Sequence, residues 1–435
     1  MKKTVIKRAP LGNPRFAWKQ KDFILSTFSC KADDMEQSVI NCKKAGFNLL
    51  ELGWASHEQA LEAHRFCEKY DVDLLFQDLT LIGGMQRVAM AQGVDEKRVS
   101  DVCAMLKSSK NTIGIYLWDE PLDEQTMLEA KRQEKMILEN WNDALIFSVA
   151  NPSYNPTYTW HNNEYLDYLR RFANIMDPPI LSMDYYPIGI LPYGNRGATE
   201  PNYDVQGQLD NDLFWCDLAA LRKVGKESSL PIWFYYQGCD LYKHGLLEFS
   251  MVRLMMYAAV MYGVKGLQNY QAIEDAVLMT DGTPGPYFYQ QRTIHEEFKN
   301  LGNTLMALES DLVYHDATAF TSPTCAFAKD LHDSIEDSKI LEGPLPVRCS
   351  VGELSDNEGN LYLLVLNRDS RSTLIADVPL KKQSRIYEVD RTSGEQRIIA
   401  DRTSKLPVRL SEGDGVLLRI QDADCEPCLI EYVLE

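Results

Sequence analysis

One unit recurs along the first three-quarters of the chain: a short β-branched or aromatic run, a polar or glycine-rich loop, then an amphipathic helix. Eight such runs can be drawn: FILSTF (23–28), FNLLEL (47–52), DLLFQDL (73–79), IGIYLW (113–118), ALIFSV (144–149), ILSMDYY (180–186), IWFYYQ (232–237) and GLQNY (266–270). Helical stretches such as HEQALEAHRFCEKY and EQTMLEAKRQEKMILENW lie between them, and Ser56 with Gln59 has the capping-box spacing that starts a helix. Strands that alternate with helices pair in parallel through right-handed crossovers, and eight of them close into a (β/α)8 (TIM) barrel. The alternative is a doubly wound sheet, but no GxGxxG or GxxxxGK[ST] follows the first run.

Past about residue 312 the texture changes to short alternating runs (NLYLLVLNR, TLIADVPL, RIYEVDR, GVLLRIQ) separated by DNEG, RDSRS, RTSG and EGDG turns, the pattern of an antiparallel β-sandwich. With 435 residues, more than one core is expected. The predicted division is a catalytic TIM-barrel domain at 1–311 and a β-sandwich domain at 312–435, closely packed because no low-complexity linker separates them.

A net charge of −18 with no Lys/Arg-rich run argues against nucleic acid and anionic membrane surfaces as partners. No segment approaches the roughly 18 consecutive apolar residues of a membrane span. The basic opening MKKTVIKR is not followed by an apolar leader segment, so the expected location is cytoplasmic, or periplasmic or secreted if a signal peptide preceded this sequence. Most of the ten cysteines stand singly in apolar contexts, and the Cys425/Cys428 pair lacks a second pair to complete a zinc site. Neither a metal nor another cofactor is expected.

Barrel active sites lie at the C-terminal ends of the strands. Those ends carry Glu51 and Trp54, Gln77 and Asp78, Trp118-Asp119-Glu120-Pro121, Asn151 and Tyr154, Asp184-Tyr185-Tyr186, Gln237 and Asp240, and Gln268-Asn269-Tyr270. Carboxylates, amides and aromatic rings at one end suit a carbohydrate, whose hydroxyls take polar partners and whose C–H face stacks on rings. His161 and His244 in loops, and Tyr193 and Asn195 in the long segment after the sixth run, are further candidate contacts.

YLWDEP, ending the fourth run, resembles the fourth-strand motif of clan-A glycoside hydrolases, and the layout resembles uncharacterised members that join the barrel to a C-terminal sandwich. That resemblance implies Glu120 as acid/base, with Asp119 in place of the usual Asn. It also implies a nucleophile Glu at the end of the seventh strand, where this chain has Gln237, so either the register differs, the second carboxylate comes from another strand, or the site is not hydrolytic. Asp184 is the best substitute, with Glu51, Asp78 and Asp240 behind it, and Asp119 with Asp184 also resembles the pair used by α-galactosidase and α-glucosidase barrels, which would make Asp119 the nucleophile. The residues themselves agree: glycosidic cleavage needs one carboxylic acid and a second carboxylate across the bond. Against this, Asp-Glu-Pro also suits a helix N-terminus. The candidate catalytic residues are Glu120, Asp119 and Asp184, and the candidate sugar contacts are Glu51, Trp54, Asp78, Trp118, Tyr186, Gln237, Gln268 and Asn269. A catalytically silent carbohydrate-binding barrel competes with hydrolysis. A lyase or isomerase ranks below both, since the sequence offers no metal or cationic stabiliser at a strand end.

Overall fold

The computed structural model describes the chain except residues 1, 29–32, 54, 79–93, 155–163, 189–203, 212, 242–244, 274–275 and 320–330. After an N-terminal strand β1 (Lys2–Arg8), eight strands close into a parallel barrel in chain order: β2 (Ile24–Phe28), β3 (Leu49–Glu51), β4 (Asp73–Phe76), β5 (Thr112–Asp119), β6 (Leu145–Ala150), β7 (Leu181–Asp184), β8 (Ile232–Gln237) and β9 (Gly266–Tyr270). Each of the eight predicted runs forms one of these strands. They are nearly continuous in buried apolar residues because helices cover their outer faces.

The covering helices are α1 (Met35–Lys44), α2 (His57–Tyr70), α3 (Glu96–Leu106), α4 (Glu124–Asn140), α5 (Glu164–Met176), α6 (Val205–Asn211), α7 (Phe214–Ser228), α8 (Phe249–Met261) and α9 (Phe288–Ala307). The Ser56/Gln59 capping box that starts α2 is present in full. Among the described residues no helix is long and apolar enough to cross a membrane.

The C-terminal region holds a six-stranded antiparallel sheet in the order β10 (Glu309–His315), β11 (Cys349–Ser355), β12 (Leu361–Asn367), β15 (Gly415–Asp422), β13 (Leu374–Val389), β14 (Gln396–Leu410). Strands β13 and β14 are long and shift register between Pro379 and Ser384. The distal halves thereby double over the sheet, and Val378, Leu380, Leu406 and Val408 enclose a second core with Val351, Leu363, Val365 and Leu418. The opposite face, with Tyr362, Leu364, Leu366 and Leu417, joins the barrel's own core. Strict alternation along β12 thus serves two cores at once. The last strand, β16 (Cys428–Leu434), pairs in parallel with β1, so the two ends of the chain are held together, a contact the sequence reading did not anticipate.

Candidate active site

Strand register decides which side chains enter the barrel, because residues paired across parallel strands share a face. Phe28 pairs with Glu51 and with Tyr270, Tyr235 with Gln268 and Asp184, and Val149 with Ser182 and Asp119. The inner face at the C-terminal end therefore collects Glu51, Asp119, Asp184, Tyr235 and Tyr270.

Asp119 is inward because of an irregularity. Simple alternation from Tyr116, which packs on Phe28 and Phe147 inside the barrel, would put Trp118 inside as well. The register slips between Tyr116 and Trp118, so Trp118 pairs with Ser148 on the helix side and Asp119 with Val149 on the barrel side. Trp118, expected among the sugar contacts, is instead fully buried on the outer face. Asp119, half-buried, accepts a 3.0 Å hydrogen bond from the Tyr116 hydroxyl. Burial first, then the charge of Asp119, pushes the Tyr116 phenol well above its ordinary range, so it stays a donor.

Glu120 follows with a left-handed backbone, φ 47°, a conformation that costs a non-glycine residue energy and that clusters at functional sites. Its backbone is pinned on both sides: its N–H donates to the Val149 carbonyl at 3.1 Å and its carbonyl accepts from Asn151 Nδ2 at 2.9 Å. The Tyr168 hydroxyl donates to the Pro121 carbonyl at 3.0 Å and accepts from the Asn151 N–H at 2.9 Å. Neither Asp119 nor Glu120 caps the next helix. That role belongs to Asp123, whose carboxylate accepts from the Thr126 N–H at 2.8 Å.

Aromatic rings flank these carboxylates. Tyr186 stacks on Tyr270 with ring centroids 4.5 Å apart, and Tyr270 stacks on Phe28 at 5.6 Å. Burial, then the nearby Asp184, holds the Tyr186 phenol protonated far above its ordinary range. Tyr154 packs edge-on against Tyr185 at 5.0 Å.

The other expected contacts fall in different places. Glu51 and Gln268 lie inside the barrel, fully buried, with Gln268 Nε2 donating to Glu51 Oε1 at 2.9 Å. Gln237 also points inward, but its amide is committed to backbone: Nε2 donates to the carbonyls of Ile188 (3.0 Å) and Cys239 (3.2 Å), and Oε1 accepts from the Ile188 N–H (2.8 Å). It fastens the chain after β7 to the end of β8. Asn269, expected at the sugar, pairs with Thr27 and Tyr236 on the outer face and donates to the Tyr236 hydroxyl at 3.1 Å, so alternation next to inward Gln268 removes it from the mouth. Asp78 is buried against His57, whose Nδ1 is 2.7 Å away, and against Arg98 at 3.5 Å. Trp54, His161, Tyr193, Asn195 and His244 lie outside the described residues. Among the described residues no group of three or more His, Cys, Asp or Glu side chains is arranged to hold a metal ion.

Sequence reasoning passed over Tyr116 and gave Tyr235 no role. Alternation back from Gln237 could have found Tyr235, whereas the slip in β5 breaks the alternation that would lead from Asp119 to Tyr116.

Compared by sequence, the chain matches no family model and no curated protein. Compared by structure, it is similar to a glycoside hydrolase family 5 protein from Bacteroides vulgatus ATCC 8482, at TM-score 0.56 and 10% identity over 98% of this chain and 96% of that one. It is also similar to a candidate α-galactosidase from Bacteroides fragilis NCTC 9343, at TM-score 0.52 and 10% identity over 92% of this chain and 80% of that one. At these identities the likeness is one of fold.

Proposed function

We propose that the chain is a glycoside hydrolase that cleaves O-glycosidic bonds of an oligo- or polysaccharide in the barrel, residues 1–311, with Glu120 as general acid/base. The observation that carries this reading is the strand-end turn at Glu120. Its backbone is held in a left-handed conformation by Val149 and Asn151, which fixes where the side chain projects, and capping is done by Asp123 instead. Holding a reacting acid in one geometry is what efficient proton transfer needs.

The second carboxylate in this reading is Asp184 or Asp119. Asp184 stands one strand beyond β6, roughly 10 Å of sheet away from β5 by strand spacing. The Tyr186–Tyr270 pair offers an aromatic surface for a sugar face. The fold is shared with the glycoside hydrolase family 5 structure, which favours the same substrate class. Gln237 favours a second reading, a silent carbohydrate-binding barrel, because β8 ends in an amide tied to backbone where the resembling hydrolases carry their nucleophile.

A screen of wild type and Glu120→Gln against aryl α- and β-glycosides and natural oligosaccharides, with calorimetry for binding, separates the two. The hydrolase reading expects wild-type turnover that falls by about 10²–10⁴-fold in Glu120→Gln while sugar binding persists. Sugar binding without turnover by either protein would overturn it in favour of the silent barrel.

A further inference from the structure

The proposed sugar chemistry lies at the C-terminal ends of the barrel strands, but a second cavity opens at their other ends. Its volume is about 590 Å³, a size that suits a small molecule, and it lies where the end of β1, the starts of β8 and β9 and the C-terminal sheet meet. Part of its wall is apolar, with Ile6, Leu11, Ile232 and Met306. The rest is charged. Among the described residues five cations line it against three carboxylates, in a chain whose net charge is −18.

The buried cations of this wall are held mainly by neutral oxygens. Arg8, 6% exposed, donates through Nη1 to the Lys21 carbonyl and through Nη2 to the Asn303 amide oxygen, each at 2.7 Å, and its Nε has no partner. The one carboxylate near it, Asp22, is 3.9 Å away and largely in solvent. Lys265, 8% exposed, donates to the carbonyls of Leu305, at 2.6 Å, and Leu308. Lys226, at the exposed rim, donates to the Ser310 carbonyl at 2.6 Å. Arg222 meets Asp333 through Nη2 at 2.5 Å, and its buried Nη1 has no partner. The carboxylates of the wall do not make up the difference. Asp356 accepts from the Tyr432 hydroxyl at 2.6 Å and from Asn360 Nδ2 at 2.7 Å, while Glu309 and Glu358 are exposed.

A buried cation bonded to carbonyls has replaced its water but gained no opposite charge, so much of its desolvation cost stands. Burial accordingly pulls the Arg8 guanidinium below its ordinary range against the opposing charge of Asp22. It takes the Lys265 ammonium down to about 8, with Glu309 opposing the fall and Arg8 adding to it. Capping of α9 explains the two contacts of Lys265, since Leu305 and Leu308 end that helix, but it leaves Arg8 Nε and Arg222 Nη1 unaccounted for.

We propose that this cavity binds a small organic anion, its phosphate or carboxylate group held by Arg8 and Lys265 and its apolar body lying against Ile232 and Met306. Lys226 and Arg222 add positive charge to the same wall. The site is formed at the far end of the barrel from Glu120 and does not rest on the hydrolase reading.

Calorimetric titration of the full chain with phenyl phosphate, benzoate and neutral benzyl alcohol tests this, with thermal melting alongside. Wild type should bind at least one of the two anions saturably, at one site per chain, and benzyl alcohol at least about tenfold more weakly. The tighter of the two anions identifies the group that the cavity takes. Tm should rise with the concentration of that anion along the binding curve. Arg8→Gln should weaken binding by about tenfold or more, because a charged donor is lost. Lys226→Glu, a change at an exposed position, should weaken it several-fold by reversing a charge of the wall, and it keeps the test decisive if Arg8→Gln fails to fold. No saturable binding of either anion to wild type, equal affinity for benzyl alcohol, or an anion affinity that Lys226→Glu leaves unchanged would overturn the proposal.

Discussion

The left-handed backbone at Glu120 costs a non-glycine residue on the order of 1–2 kcal/mol, and four hydrogen bonds around Asn151 and Tyr168 hold it in place. Replacing Glu120 by glycine should relieve that strain. Glu120→Gly is expected to match or exceed the wild-type Tm while losing turnover, read by calorimetry and a glycoside assay. A clear drop in Tm would mean that the side chain supports the fold rather than the chemistry. Trp118 separates the same two roles in the other direction. Fully buried among the helices, it should cost about 3–5 kcal/mol when replaced by alanine and leave the sugar affinity of the remaining folded fraction unaltered. Residue type revealed the inventory of carboxylates and rings in the sequence, but not their facing. Trp118 and Asn269 were misplaced because facing depends on register, and Gln237 could be placed near the nucleophile position without any sign that its amide would be consumed by the Ile188 and Cys239 backbone.

The barrel strands were legible as elements because each is a short apolar run between punctuating loops, and that texture follows from burial on both faces. The slip inside β5 was not legible, since nothing in IGIYLWD distinguishes a regular strand from one with an extra residue. Gly114, at the inward start of this strand, is needed for close approach: a Cβ there would lie 1.9 Å from the Leu145 carbonyl oxygen. Gly114→Ala should therefore force β5 and β6 apart and sharply reduce the yield of folded protein, measured by circular dichroism and thermal melting. Retention of the wild-type Tm would contradict the described strand contact. β1 was also hidden, since it is largely exposed and lacks the apolar alternation of a half-buried strand. Only its partner β16, more than four hundred residues away, makes it a strand.

Across the whole molecule, barrel and sheet are joined by buried charge as well as by apolar contact. Arg253 of α8 contacts Glu297 of α9 at 2.6 Å and Asp414 at 2.7 Å, and Arg391 reaches Asp414 at 2.9 Å and Glu297 at 3.4 Å. Burial works against the charge on Asp414, but Arg391 and Arg253 outweigh it and hold the carboxyl below its ordinary range. A depressed carboxylate adds stability above its unfolded pKa of about 4, and that contribution fades as pH falls through the lower folded value. Arg391→Ala should cost about 2 kcal/mol at neutral pH and flatten the acid-side loss of Tm, because one partner of Asp414 is gone. An unchanged pH profile would show that the network does not couple the two regions. The central claim, that Glu120 donates the proton to a leaving sugar, is tested most directly by comparing kcat/KM of wild type and Glu120→Gln across glycosides whose leaving groups span poor to good. A general acid matters most when the leaving group is a poor one, so the expected result is a loss of about 10²–10⁴-fold for alkyl or sugar leaving groups that shrinks steadily toward nitrophenyl ones. An equal loss for every leaving group would contradict that role.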